Sequence, residues 1–224
     1  MQNNLIEPVY NKLFPFWNQI SPAEREYLLR HSSAVNYNKD AKIHNSEECS
    51  GVILVRTGCI RLYMMSDSGR DITLYRLYEG DICMLTASCV LQAITFDVFA
   101  NAEEDSQCFV ISGPAFAKLS ESNPYIKIFA LETAVNRFSD VMWVMQQILF
   151  MSMDKRLAIF LTDEIARTGQ DSISLTHEQI ARYIGSAREV ISRMLKYFSS
   201  EGIVELSRKG IKILDKNRLR ALAY

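Results

Sequence analysis

The 224-residue chain is short of the side chains that metal and redox chemistry need. It has only three histidines, His31, His44 and His177, and no HxH or HExxH pattern. Its five cysteines, at 49, 59, 83, 89 and 108, include no CxxC pair and no clustered zinc or iron–sulfur spacing. Such thiols read as reduced and structural, because a free cysteine packs as a small hydrophobe. No apolar run reaches bilayer length. The start, MQNNLIEPVY, lacks a basic segment followed by an apolar one, so it does not read as a secretory signal. These absences set aside a disulfide scaffold and a membrane protein, and a metalloenzyme site would have to be assembled from scattered residues. The expected location is the cytoplasm.

The composition is that of a globular protein with a real core: 48% hydrophobic and 23% charged residues. The length suits one large domain or two modest ones. The net charge of −1 hides a split. Residues 1–150 hold 12 basic and 17 acidic residues, a net −5, whereas residues 151–224 hold 13 and 9, a net +4. A basic C-terminal third points to a polyanionic partner for that third alone.

Ser21-Pro22-Ala23-Glu24 reads as a helix start, with Ser21 as cap, Pro22 at the first position and Glu24 closing a capping box. From Val35 to Ile111 short β-rich runs alternate with turn residues, with glycines at 51, 58, 69 and 80. Ser66–Gly69 reads as a hairpin between two such runs. The pattern predicts an antiparallel sandwich, roll or barrel. After Asn123-Pro124 a long helix begins. Ile128, Leu131, Val135, Phe138, Met142, Met145 and Leu149 fall at alternating spacings of three and four, an a/d seam. A second stripe, Ala134, Val141 and Ile148, runs beside it. The helix therefore has apolar surface for two partners, its own β domain and a second copy of the chain. Ser152-Met153-Asp154 interrupts the pattern, and Asp154 is placed to cap the next helix, which ends at Gly169.

The most specific stretch is SLTHEQIARYIGSAREVISRMLKYFSSEGIVELSRKGIKIL, residues 174–214. Thr176 to Gln179 is a T-x-x-Q capping box. Gly185 allows a tight turn, and Ser186 to Glu189 reads as a second start, opening a helix over 187–200. Ile180, Ile184, Ile191, Met194 and Leu195 supply a core. IVEL and IKIL pair through SRKG, which makes a winged helix. In such a module the second helix enters the major groove. Its base-reading candidates are Arg188, Glu189, Ser192 and Arg193, since arginine pairs with guanine and glutamate accepts from cytosine N4. Thr176, Gln179, Lys196, Arg208 and Lys209 suit phosphates.

This segment resembles the DNA-binding module of the superfamily of the cyclic-AMP receptor protein and the fumarate–nitrate reduction regulator (CRP/FNR). The resemblance extends upstream to a β-roll with turn glycines like Gly58 and Gly80, and to the long helix. It implies an α+β fold: helices and a cyclic-nucleotide-binding-like β-roll over 1–123, a dimerisation helix over 124–151, and a winged helix-turn-helix over 152–224. It also implies a homodimeric bacterial transcriptional regulator that binds double-stranded DNA at a palindromic operator. RNA polymerase is a further partner if the protein activates. The family's base readers match Arg188, Glu189 and Arg193, and the E-x-x-S-R spacing is nearer to the fumarate–nitrate branch.

The chain departs from the family's nucleotide site. Cyclic-nucleotide binders hold the phosphate with an arginine–serine pair after a G-E-L motif. Here the sequence reads GDICMLTAS, with Leu85 near the glutamate position and Phe96 and Asp97 near the arginine–serine pair. No arginine occurs between Arg76 and Arg137. Neither phenylalanine nor aspartate replaces a phosphate-pairing guanidinium, so cyclic AMP is not the expected ligand and no cofactor is expected. The uncharged Ile82–Phe96 segment leaves three sensor readings, beside one in which it is only core and the protein binds DNA without an effector or through another partner. A small molecule could touch Cys83, Leu85, Cys89 and Phe96, a thiol pair Cys83/Cys89 could respond to oxidants, or haem could bind through His44 or a cysteine. A cluster on Cys83, Cys89 and Cys108 is a disfavoured further option, and so is haem. Two rival functions remain beside DNA reading: a cupin-type β-roll enzyme with an accessory helical domain, and a winged helix used for protein contacts.

Overall fold

The computed structural model describes residues 3–45, 50–69, 71–84 and 97–224. It divides into two compact units, Met1–Arg70 with Leu74–Asp140, and Asp71–Thr73 with Val141–Tyr224. The division falls inside the long helix.

The first unit opens with α1 (Asn3–Leu13), a 3-10 turn (Trp17–Gln19) and α2 (Pro22–Arg30). The predicted capping box at α2 is present. Ser21 Oγ accepts from the Glu24 N–H at 3.3 Å, and a Glu24 carboxylate oxygen accepts from the Ser21 N–H at 2.7 Å. The strands follow: β1 (Ser32–Tyr37), β2 (Lys42–His44), β3 (Val52–Thr57), β4 (Ile60–Met65), β5 (Asp71–Leu77), β6 (Ile82–Cys83), β7 (Phe99–Ala102) and β8 (Ser106–Ile111). They form two four-stranded sheets, in the orders β1-β8-β3-β6 and β2-β7-β4-β5. β8 is antiparallel to both β1 and β3, with Val35 and Val55 each opposite Cys108. This is the expected β-roll.

Gly58 shows why a hairpin here needs glycine. Its φ is 93°, and a Cβ would lie 2.3 Å from Ser106 Oγ. That hydroxyl accepts from the Cys59 N–H at 3.1 Å and donates to the Glu104 carbonyl at 2.7 Å, so it cannot move aside without losing both bonds.

The core of this unit joins Val52, Leu54, Phe109 and Ile111 of the first sheet to an aromatic cluster. Tyr10 meets Phe14 and Trp17 edge-on at 4.9 and 5.6 Å, and Phe14 stacks on Phe16 at 4.9 Å. Each such ring, fully buried, contributes roughly 1.5–3 kcal/mol through apolar burial.

After α3 (Gly113–Ser122) comes α4 (Pro124–Phe150), 27 residues long. Asn123 precedes it, and its side-chain oxygen accepts from the Tyr125 N–H at 3.0 Å. One face of α4 belongs to the first unit. Ile126 and Ala130 are buried there, and Phe129 meets Phe14 and Phe16 edge-on at 5.5 and 5.2 Å. On this face Arg137 donates to Asp140 at 2.9 Å and to Asp81 at 3.4 Å, while its guanidinium lies 4.9 Å from the centre of the Tyr75 ring. The seven seam residues lie on another face and are 44–65% exposed.

The second unit contains α5 (Met153–Thr168), β9 (Ser172–Ile173), α6 (His177–Tyr183), α7 (Arg188–Ser200), β10 (Val204–Ser207), β11 (Gly210–Ile213) and α8 (Lys216–Ala223). The expected cap of α5 at Asp154 is corrected: it lies two residues earlier. Ser152 is the N-cap residue and Asp154 sits inside the first turn, where its hydrogen bond to Ser152 holds its carboxyl below the usual range. Leu157, Leu161, Ile180, Ile191, Leu195, Phe198, Ile211 and Leu219 share one core. The three-stranded sheet has the order β10-β11-β9. This is the expected winged helix, with β9 and α8 added. No described helix is long and apolar enough to cross a membrane.

Candidate nucleic-acid interface

α6 begins as its sequence dictates. Thr176 Oγ1 accepts from the Gln179 N–H at 3.1 Å, and Gln179 Oε1 accepts from the Thr176 N–H at 2.9 Å. Both side chains are thus engaged in the cap, a pairing worth about 1 kcal/mol. At its other end the Ile184 carbonyl accepts from a guanidinium nitrogen of Arg156, which is 6% exposed. Gly185 then turns with φ 63°, and the Ser186 N–H donates to the Ala181 carbonyl at 2.8 Å.

The expected start of the second helix at Ser186 is corrected. Ser186 belongs to the turn, Ala187 is the N-cap in extended conformation, and no side chain caps the helix. The S-x-x-E spacing therefore makes no capping box, and the Glu189 carboxylate is not committed to one. Glu189 sits in the first turn, favourably placed for the positive end of the helix.

α7 is strongly two-sided. Ile191, Leu195 and Phe198 are buried, while Arg188, Glu189, Arg193 and Lys196 are exposed. Ser192 is half-buried on the flank, and its Oγ lies 2.7 Å from His177 Nδ1 of α6. Burial first, then the nearby charges of Arg188 and Lys196, hold the His177 ring below its ordinary pKa.

β10 and β11 form the wing, with Ser207 opposite Gly210. Ser207 Oγ accepts from the Lys209 N–H at 3.1 Å and donates to the Gly210 carbonyl at 3.3 Å, closing the tip. Gly210 has φ 130°, and a Cβ there would come within 2.2 Å of the Ile173 carbonyl. Glycine is needed because β9 lies directly alongside. Arg208 and Lys209 are exposed at this tip. A cleft of about 220 Å³ brings Thr176 and His177 together with Ser207, Arg208 and Lys209. Gln179 and Lys196 do not line it. A wing and a helix terminus can grip a phosphate backbone while a neighbouring helix reads base edges.

Cys83 is fully buried on β6, whereas Leu85, Cys89 and Phe96 lie outside the described residues. So do the positions where a phosphate clamp would stand, except Asp97, which is exposed. Gly80 turns with φ 90°, and Asp81 accepts from the Tyr78 N–H at 2.9 Å. His44 is buried, with Nδ1 2.8 Å from Ser50 Oγ. Among the described residues no group of three or more His, Cys, Asp or Glu could hold a metal ion. Cys59, Cys83 and Cys108 are buried thiols outside any disulfide, and burial pushes the Cys59 and Cys108 thiols up to about 12.

Residues 155–222 match the family of the Crp-like helix-turn-helix domain. A solved structure of a crp/fnr-family regulator from Eubacterium rectale is similar over 95% of this chain and 99% of its own, at 41% identity and TM-score 0.89. The transcriptional activator protein anr of Pseudomonas aeruginosa is 26% identical over 180 residues, which cover 77% of this chain and 72% of that protein. FixK2 from Bradyrhizobium japonicum shares the fold at TM-score 0.71, with 20% identity over 86% of this chain and 98% of its own.

Proposed function

The chain belongs to the CRP/FNR family of transcriptional regulators, and on that premise we propose that two copies pair through α4 and set their α7 helices in successive major grooves of a palindromic operator. The observation that carries this reading is the outer face of α7. It exposes Arg188, Glu189, Arg193 and Lys196 with an apolar face buried behind them, in the same compact unit as the exposed Arg208–Lys209 wing tip.

Arg188 and Arg193 are the arginine readers of guanine, and Glu189 accepts from cytosine N4. Lys196, Arg208, Lys209 and the head of α6 at Thr176 and Gln179 hold phosphates and fix the register. The exposed seam Ile128–Leu149 supplies the dimer contact, because seven apolar side chains 44–65% exposed on one helix face call for a partner. The 124–151 segment is then the dimerisation helix between a 1–123 sensor and a 152–224 DNA-binding domain. The protein is a binding protein rather than an enzyme. It works on the chromosome in the bacterial cytoplasm, touching RNA polymerase where it activates.

The signal is a small molecule rather than a cyclic nucleotide. The thiols of Cys59 and Cys108 hold little thiolate at neutral pH, and Cys83 is sealed from solvent, which argues against these three as oxidant sensors. An effector acts only by binding one pose of the dimer better than another.

The test is selection of bound DNA from a random pool, followed by binding measurements across salt. The expected product is a palindrome with half-sites about one helical turn apart. Arg193→Ala should lose about 1–3 kcal/mol on that site. A pool that fails to enrich, or an Arg193→Ala protein with unchanged affinity and salt slope, would refute DNA reading.

A further inference from the structure

Ser192 is a poor base reader on its own. Its hydroxyl rotates, and it can donate to one base edge as easily as accept from another. A serine becomes selective only when a neighbour decides where its proton points. In this chain such a neighbour exists. His177 Nδ1 lies 2.7 Å from Ser192 Oγ, a contact across fifteen residues of sequence that joins the first turn of α6 to the reading helix. The geometry points to His177 as a positioning residue for base selection: it fixes the Ser192 hydroxyl as a hydrogen-bond acceptor toward the groove. This rests on the reading of α7 as the groove helix.

The polarity depends on the ring's protonation and on its tautomer. Burial, Arg188 and Lys196 all disfavour the imidazolium, so the ring is neutral near pH 7. A neutral ring has two tautomers, and the role assigned here belongs to the one with its proton on Nε2, in which Nδ1 accepts the Ser192 O–H. The serine proton then points back into the protein, and the outward lone pairs of Oγ remain. A lone-pair surface in the major groove selects, on the strand it faces, a base that offers a donor, adenine N6 or cytosine N4, over guanine or thymine, whose edges there offer acceptors. Glu189 and Arg193 flank Ser192 on the same helix and read their own base pairs, so the choice made through His177 applies to one position only.

The experiment measures binding of the full-length protein to the selected operator and to its single-base variants. Ser192→Ala identifies the position that Ser192 reads. At that position an operator whose adenine or cytosine lacks its exocyclic amine is expected to bind the wild type about fivefold more weakly or worse. His177→Ala should erase this preference, leave the others intact and add nothing to Ser192→Ala in the double variant. His177→Asn, whose amide oxygen sits near the place of Nδ1, should restore it. Thermal melting of each variant checks the fold, and the Asn variant keeps the test decisive if Ala melts early. A uniform loss across all operator variants in His177→Ala would overturn the proposal, since that is the mark of a phosphate contact or of α6 packing. So would a wild-type affinity unchanged by removal of that exocyclic amine, or a failure of Asn to restore selectivity. Arg193→Ala separates the two levels. If it too changes no base preference, groove reading itself fails, and the role of His177 falls with it.

Discussion

Replacing Phe138 by alanine isolates the proposed dimer contact from the fold. Phe138 is 65% exposed, and the buried residues of α4, Ile126 and Ala130, lie on another face of that helix. A phenylalanine offers roughly 200 Å², so about 130 Å² of it awaits cover, worth ~3 kcal/mol at ~25 cal/mol per Å². Truncation at Cβ removes about two thirds of this, or ~2 kcal/mol per copy. A twofold dimer counts the loss twice, so association should weaken by ~4 kcal/mol, about a thousandfold. Sedimentation velocity across a dilution series reads this directly, and thermal melting at a concentration where both proteins are monomeric reads the fold. The expected result is a monomer–dimer midpoint shifted up by about three decades with unchanged monomer stability. A Phe138→Ala protein that dimerises like the wild type would refute the seam, and a collapsed monomer would show that Phe138 belongs to the chain's own core.

Gly58→Ala should destabilise the first unit by about 3 kcal/mol in denaturant titration, since it adds positive-φ strain to a 2.3 Å clash with Ser106. Gly202→Ala, with φ 70° and nothing within 4 Å, should cost only about 1 kcal/mol. Burial lowers the pKa of His44, so the unfolded chain takes up its proton first as pH falls. The stability it contributes is complete above the ordinary histidine value near 6.5 and declines as pH drops from there toward the depressed folded value. Denaturant titrations of His44→Gln between pH 7 and 5 should therefore show a shallower loss than the wild type, and an equal slope would contradict the burial argument.

The winged helix was legible because its signals are local. The Thr176–Gln179 box, the Gly185 turn and the two wing strands each declare themselves within a few residues. The seam was legible because a 3,4 repeat survives over three heptads. What escaped the sequence had contrary or insufficient local evidence. α1 carries Pro8 in its interior, which ordinarily breaks a helix. β9 has two residues and so no period to detect. α8 does carry a local signal, since Asp215 caps it by accepting from the Asn217 and Arg218 N–H groups. The start of α7 misled because Ser186 has the right chemistry for a cap, yet the bond from its N–H to Ala181 keeps it in the preceding turn. No local rule could have paired His177 with Ser192, because only the crossing of α6 and α7 brings them together.

Arg137 joins two carboxylates and an aromatic ring, and sequence drift should reach these positions unequally. Losing Asp81 leaves the cation with Asp140 and Tyr75, and losing Asp140 leaves it with Asp81 and Tyr75. Losing Arg137 deprives both acids at once, one of them in the turn that leads to β6. Among relatives that keep this arrangement, the arginine should be the fixed member and each aspartate the one free to wander. Double exchanges should be found only where the arginine itself has gone.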